Sequence, residues 1–354
     1  MTSIKIILHI LYYFAVFLQL FFLYIQKKLK MKKKKNFYSL ILFAFLFLPF
    51  FSHANLHQKN TRIVFISELE KNFAFSHQEA KDSIKLQLSK PGWLLIFEEN
   101  SRKLLINGTL TWMNYPAVKL AGVWAISRID VDKLIIPIIT GKHNYPLVAQ
   151  PRIIIDAGHG GKDNGAASFP LIEKKATLEI ARRVHHKLTA NNISSFLTRD
   201  KDVYLDLTQR TILIKRRNAN FFISIHLNSS SNPAASGIET YIMSPAGCTS
   251  TSGQTADMTT YQGNQFDSAN ARFAYLLHRE VIRSTKAEDR GIKWARFHVL
   301  KMAATPAVLI ECGFVSSPTD KQKLLSEAYL NLIAEGIANG LNKIFNEMKI
   351  NEQK

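Results

Sequence analysis

From Pro151 onward the chain alternates short apolar runs with stretches whose apolar residues recur at helical spacing, and no other feature restricts its fold as much. Arg152-Ile153-Ile154-Ile155-Asp156 is a continuous apolar strand ending in a Gly-rich turn. Leu178, Ala181, Val184 and Leu188 then mark one face of a helix over Lys175 to Asn191. A strand at Ser195–Thr198, a helix at Leu207–Asn218, and strands at Phe221–Ile225 and Ile238–Met243 follow. A helix at Ala269–Thr285, a strand at Ala307–Ile310 and two helices near Asp320–Ser326 and Tyr329–Met348 complete the pattern. Strands interleaved with helices predict an α/β layer fold with a largely parallel central sheet.

The preceding segment reads differently. Ile63–Ile66, Leu94–Phe97, Lys103–Ile106 and Leu134–Pro137 are compact apolar runs, and Asn107-Gly108 is a tight-turn signal. These predict a small β-rich accessory domain over 61–140, joined by a linker at 141–150 to an α/β domain over 151–348. Residues 1–54 form a membrane or signal segment. Within it, 31–54 has the layout of a secretory signal: Lys32–Lys35, the apolar run Phe37–Phe51, and Ser52-His53-Ala54 as a cleavage site. Upstream, Ile6–Ile25 is long enough to span a bilayer. Either translation begins at Met31 or this stretch is a membrane helix, so the amino-terminal segment is a candidate membrane contact. In both cases the remainder is expected outside the cytoplasmic membrane, in the periplasm or cell envelope.

The charge fits that placement. The sequence has 46 Lys+Arg against 27 Asp+Glu, and eight of the lysines lie in 1–54 with no acid among them. Without those eight the balance is still +11, which suits polyanionic surroundings without choosing one. Export makes nucleic acid an unexpected partner. The chain is expected to be a monomer. Two cysteines cannot make a disulfide scaffold and there is no CxxC pair, so a metal site would have to use His and carboxylates.

In parallel α/β sheets, ligands sit beyond the carboxyl ends of the strands, and three such ends carry polar residues that a turn does not need. They are Asp156-Ala157-Gly158-His159-Gly160-Gly161, His226-Leu227-Asn228 and Glu311-Cys312-Gly313-Phe314; Glu173 opens the intervening helix. The Gly-rich loop lacks the GxxxxGK[ST] phosphate-cradle pattern. Singly, His226 reads as a structural histidine and Glu173 as a helix-start acid favoured by the dipole. Jointly, two His and one Glu in one cleft are a zinc-binding set with a position left for water. Glu311 is then free to move protons, and alternation puts Cys312 on the opposite face.

These residues resemble the zinc-dependent N-acetylmuramoyl-L-alanine amidases over about 153–341. The first motif of that family is met by Ile155–Ala166, and the second by Glu173-Lys174 with Leu178-Glu179-Ile180-Ala181. Thr198-Arg199-Asp200, Arg210, Ser224–Asn228, Asp289-Arg290-Gly291 and Pro306–Phe314 follow in order. The resemblance implies that the central sheet is twisted and flanked by helices, and that zinc is held by His159, Glu173 and His226, with Glu311 as catalytic acid/base. It also makes Glu239 and Arg210 candidates to support the site from just outside it. It implies peptidoglycan as substrate, cut between the lactyl group of N-acetylmuramic acid and L-Ala of the stem peptide. The alternatives are a zinc hydrolase of another stem-peptide bond and a non-catalytic peptidoglycan-binding homologue. The polar stretch Ser244–Asn270 has no amphipathic period, so it is expected to be a loop bordering the groove, without a helix that plugs the metal.

Overall fold

The computed structural model describes residues 62–79, 84–143, 145, 147–253 and 255–349. The signal-like segment 31–54 and the apolar stretch before it lie outside them. Among the described residues, no helix is long and apolar enough to cross a membrane.

The amino-terminal strands are β1 (Ile63–Phe65), β2 (Ser76–Gln78), β3 (Lys85–Lys90), β4 (Trp93–Glu98), β5 (Ser101–Ile106), β6 (Thr109–Leu120) and β7 (Val123–Ser127). Helix α1 (Ile66–Phe73) follows β1. Strands β2 to β7 form an antiparallel meander. Alternation buries one side: Leu95 and Phe97 of β4 and Leu104 and Ile106 of β5 are fully covered. Asn107 and Gly108 both take positive φ (47° and 80°) in the β5–β6 turn, as a two-residue hairpin loop requires.

One predicted strand is a helix. Leu134–Pro137 falls in a helical path through Val131–Ile135 and Ile136–Thr140 that ends at Gly141, whose φ is 65°. Val131, Leu134, Ile135, Ile138 and Ile139 are all buried. Their spacing of i, i+3, i+4, i+7 and i+8 is helical, and burying that face outweighs the β preference of the isoleucines. After it, the described part of 141–150 has no regular structure and runs against the α/β part. His143 packs edge-on to Phe273, and Val148 N–H donates to Met348 O at 2.7 Å.

The α/β part follows the predicted order. It contains β8 (Arg152–Ala157), the hairpin β9 (Ala167–Ser168) and β10 (Leu171–Ile172), α2 (Glu173–Ala190), β11 (Ser194–Leu197) and α3 (Leu207–Arg216). Then come β12 (Phe221–Asn228), β13 (Ile238–Met243), α4 (Asp267–Thr285), β14 (Asp289–Ala295), the short α5 (His298–Lys301) and β15 (Ala307–Phe314). Helices α6 (Pro318–Leu324) and α7 (Glu327–Met348) complete it. The sheet order is β11-β8-β12-β15-β13-β14, continuing through β6-β5-β4-β3-β2, with β7 beside β6 and β1 beside β7, thirteen strands among the described residues. Strands β11, β8, β12 and β15 are parallel; β13 runs antiparallel to β15, and β14 is parallel to β13. The sheet is therefore mixed. The carboxyl ends of β8, β12 and β15 meet the start of β13 at one edge.

Helices α2, α4 and α7 cover one face. The thinner cover of the other face comes from α3 and α5, which pack Ile214, Val299 and Leu300 against Ile154, Phe222, Met243 and Leu309. Each strand of that second face changes from hydrocarbon to polar within a few alternating positions. Ile154 gives way to Asp156, Phe222 to Ser224 and His226, and Leu309 to Glu311; Met243 gives way, reading backwards, to Tyr241 and Glu239. The site lies where those four gradients end.

Of the stretch 244–270, expected to be a loop, 244–261 contains no helix among its described residues, but 262–270 is helical: a 3-10 turn over Gln262–Phe266 leads directly into α4 at Asp267. The anchors of the loop lie at the opposite edge from the one expected. Because β13 is reversed, the loop leaves where β14 also ends. Ser244 N–H bonds Ala295 O, Thr251 exchanges bonds with Trp294, and Arg296 donates to the carbonyls of Pro245 and Cys248. These contacts replace the expected border along the groove.

Candidate metal centre

Backbone geometry first turns His159 inward. Its φ is 59°, a left-handed conformation few side-chain-bearing residues adopt. Two buried arginines hold the chain there. Arg210 Nη2 donates to His159 O at 2.8 Å and its Nη1 to Ala157 O at 2.7 Å. Arg199 donates to the carbonyls of Ala157 and Gly158 at 3.0 and 2.7 Å. Arg210 is paired with Asp156, fully buried beneath the loop, at 2.8 Å; Thr198 and Ser224 hydroxyls also donate to that carboxylate. Burial opposes the Asp156 charge, but Arg210 and these hydrogen bonds hold its pKa below the ordinary aspartate value. Arg210, one of the two supporting candidates, therefore acts on the loop that carries a site residue.

Glu173 is the first residue of α2 and almost fully buried. Its Oε2 accepts from Ala166 N–H at 2.7 Å and its Oε1 from Leu227 N–H at 3.0 Å. Oε1 also lies 3.1 Å from His159 Nε2 and 3.0 Å from His226 Nδ1. Burial works against its charge, yet the two rings and their hydrogen bonds hold the pKa far below the usual carboxylate range. His226 sits near the end of β12, and the two imidazoles meet edge-on with ring centroids 4.9 Å apart. The ligand-capable atoms of His159, Glu173 and His226 all lie within 4.8 Å of one another.

Asp163 was not singled out from the sequence. Its Oδ2 lies 2.8 Å from His159 Nδ1, which leaves Nε2 directed at Glu173. A carboxylate on the far nitrogen is the usual device for fixing the tautomer and orientation of a metal-binding histidine. The signal was legible: an acid four residues after the histidine, inside the quoted motif.

Glu311 lies at Cα register with His226 on one side and Glu239 on the other. Its Oε2 is buried and has no hydrogen-bond partner among the described residues. Burial first, then the charges of Glu173 and Glu239, push its pKa well above the ordinary value. Cys312 next to it is buried on the opposite face, as alternation predicts. Glu239 is fully engaged: Oε1 accepts from Arg290 Nε (2.5 Å) and Lys293 Nζ (2.6 Å), and Oε2 from Tyr241 OH (2.5 Å) and Asn228 Nδ2 (3.2 Å). The roles of Arg290 and Lys293 escape the sequence because β14 does not read as an apolar run, and that of Tyr241 because its bond to Glu239, two residues earlier on the same strand, is visible only in the structure.

The donor set fits zinc. Two ring nitrogens and one carboxylate oxygen converge, beside a carboxylate whose Oε2 has no hydrogen-bond partner among the described residues, as in three-ligand sites that keep a position open. Calcium or magnesium would call for more oxygen ligands.

A family model described as N-acetylmuramoyl-L-alanine amidase matches residues 153–343. N-acetylmuramoyl-L-alanine amidase CwlM of Bacillus licheniformis is 38% identical over 200 residues, covering 56% of this chain and 70% of that protein. The sporulation-specific N-acetylmuramoyl-L-alanine amidase of Bacillus subtilis is also 38% identical over 200 residues, covering 56% and 69%. Among solved structures, the catalytic domain of CwlV from Bacillus (Paenibacillus) polymyxa var. colistinus is similar at 32% identity and a TM-score of 0.47. That match covers 56% of this chain and 99% of the solved domain.

Proposed function

The chain belongs to the N-acetylmuramoyl-L-alanine amidase family, and we propose that its activity is carried by zinc held between His159, Glu173 and His226, with Glu311 moving the proton. The reaction is hydrolysis of the amide joining the lactyl group of N-acetylmuramic acid to L-Ala of the stem peptide in peptidoglycan. The family is generally zinc-dependent. The observation that carries the reading for this chain is the convergence of those three side chains beside an acid whose buried Oε2 has no hydrogen-bond partner among the described residues.

An amide resists water because its carbonyl is a weak electrophile and its amine a poor leaving group. Zinc, when bound, supplies Lewis-acid polarisation of the carbonyl and acidifies a water. The protein's own residues do the rest. Asp163 keeps a proton on His159 Nδ1, so that Nε2 presents its lone pair. Ala166 and Leu227 N–H groups fix both oxygens of Glu173, preventing rotation of the carboxylate. Glu311 Oε2 takes the proton of the attacking water, then delivers it to the L-Ala nitrogen as the carbon–nitrogen bond breaks. Glu239 takes no proton in this scheme; its four donors keep it charged and fixed.

In the same reading, 31–54 is an export signal, the protein works as a monomer in the cell envelope, and 61–140 is an accessory module on the catalytic part. Digestion of purified sacculi followed by mass spectrometry tests the assignment. Free stem peptides with an L-Ala amino terminus, and glycan strands with intact lactyl groups, are expected. Cleavage between stem-peptide residues would move the protein to a different zinc hydrolase activity, and no release at all with zinc bound would make it a wall-binding homologue.

A further inference from the structure

The amino-terminal strands do more than adjoin the catalytic sheet. Strand β6 pairs in parallel with β14 at Thr111 and Ile292, and side chains lock the seam on both sides of that pair. Leu110 N–H donates to Asp289 Oδ2 at 3.0 Å, Trp112 Nε1–H to Arg290 O at 3.0 Å, and Trp294 Nε1–H to Trp112 O at 2.5 Å. Gly291 permits this approach. A Cβ there would lie 2.8 Å from Leu110 Cγ, 2.9 Å from Leu110 O and 3.0 Å from Trp112 Cδ1, at a φ of 88° that favours glycine.

The residues so gripped are the ones that hold Glu239. Arg290, whose carbonyl receives the Trp112 indole N–H, donates its Nε to Glu239 Oε1. Lys293, whose Nζ lies 5.9 Å from the Trp112 ring centroid, donates to the same oxygen. A second route runs beside the first. Asp289 binds His278 Nε2 at 2.9 Å, and His278 Nδ1 lies 2.9 Å from the hydroxyl of Thr240, the residue after Glu239. Both routes end on β13 where it faces Glu311 across the sheet.

We propose that Trp112 is a positioning residue for the catalytic centre, acting through Arg290 and Lys293 on Glu239, and that β6 is thereby a working part of the amidase. The proposal rests on the reading of Glu311 as the acid/base. Physically, Glu239 is a buried charge, and both donors to its Oε1 are cations on flexible side chains. Trp112 restricts both, one through its backbone and one through an aromatic face.

The test uses the full chain with Trp112→Phe, which keeps an aromatic ring and removes the N–H donor. Zinc content is measured first and is expected to stay at one per chain, so loss of folded protein does not enter. On a soluble muramoyl-peptide, KM is expected to hold while kcat falls roughly 2- to 30-fold, the range for contacts along a coupled network. Lys293→Met, which removes one cation from Glu239 and leaves the indole hydrogen bonds of the seam intact, is expected to give a loss of the same kind. In a Glu239→Gln background, Trp112→Phe is expected to cause no further loss, a non-additivity that a purely structural tryptophan would not produce. Full kcat in Trp112→Phe, or losses that multiply with Glu239→Gln, would overturn the proposal. Glu311→Gln separates it from its premise: an active Glu311→Gln enzyme removes the acid/base reading. An inactive one alongside multiplying losses removes only the role of Trp112.

Discussion

Gly158 is the position where one added carbon should disable the metal centre and spare the fold. A Cβ built there lies 2.5, 2.7 and 2.8 Å from Cε1, Nε2 and Nδ1 of the His226 ring. Ordinary carbon contacts lie at about 3.5–4.0 Å, so the two groups must separate by about 1 Å. The backbone cannot supply that movement. Gly158 N–H is bonded to Ile225 O at 3.0 Å, and its carbonyl receives Arg199 Nη2 at 2.7 Å and Thr177 Oγ1 at 2.9 Å. Its φ also lies outside the left-handed region, so alanine brings no backbone strain. The ring must withdraw, carrying Nδ1 about 1 Å from its place beside Glu173. With zinc–nitrogen bonds of about 2.0–2.1 Å, that is half a bond length. Gly158→Ala is therefore expected to lower zinc affinity about 10- to 100-fold, equivalent to about 1.4–2.8 kcal/mol. Turnover at saturating zinc should fall about 100-fold. The melting temperature of the metal-free protein should move by only a few degrees. Chelator competition gives the affinity and circular dichroism the melt. Unchanged affinity together with unchanged turnover would refute the reasoning.

Three further outcomes follow from the same geometry. Glu311→Gln should retain its zinc and lose about 10²- to 10⁴-fold in kcat, the usual worth of a general acid/base; near-normal turnover would remove Glu311 from the mechanism. Asp163→Ala frees the His159 ring to rotate and should weaken zinc binding by about 10-fold or more, as metal titration would show. Asp156→Asn breaks a buried pair with Arg210 and should cost about 3–5 kcal/mol near neutral pH. The folded pKa of Asp156 is depressed, so its contribution is complete above the unfolded value of about 3.9 and is lost as pH falls through the folded value. Denaturant melts of the metal-free protein should accordingly show the gap between wild type and Asp156→Asn narrowing below about pH 4. A gap of constant size would contradict the sign.

Much of this arrangement is legible in the sequence because burial writes a period. Ile153–Ile155, Phe221–Ile225 and Ala307–Ile310 are covered on both faces and read as continuous apolar runs, so the strands and the polar residues at their ends stand out. His159, Glu173, His226 and Glu311 are found that way, and their meeting point follows from the rule for parallel strand ends. What escaped has physical reasons. Strand β14, Asp-Arg-Gly-Ile-Lys-Trp-Ala, spends its alternate positions on the seam with β6 and on Glu239, so charge hides its strand period. Leu134–Pro137 looks like a strand by composition, and only the wider spacing from Val131 to Ile139 shows the helix. The reversal of β13 is not encoded in its own residues, which is why the loop after Met243 was assigned to the wrong edge. Asp163 stands four residues after His159 in the sequence, but its hold on the ring is a contact that coordinates supply. Arg210 is named by the family motif, and coordinates add that it acts through the His159 carbonyl.

The claim on which the rest depends is that one ion sits among His159, Glu173 and His226. Diffraction data from zinc-soaked crystals, collected on both sides of the zinc absorption edge, test it directly. The expected result is a single strong anomalous peak about 2.0–2.2 Å from His159 Nε2, His226 Nδ1 and a Glu173 oxygen, with Glu311 close to it but unbound. A featureless map at that point, or a peak held by other side chains, would contradict it.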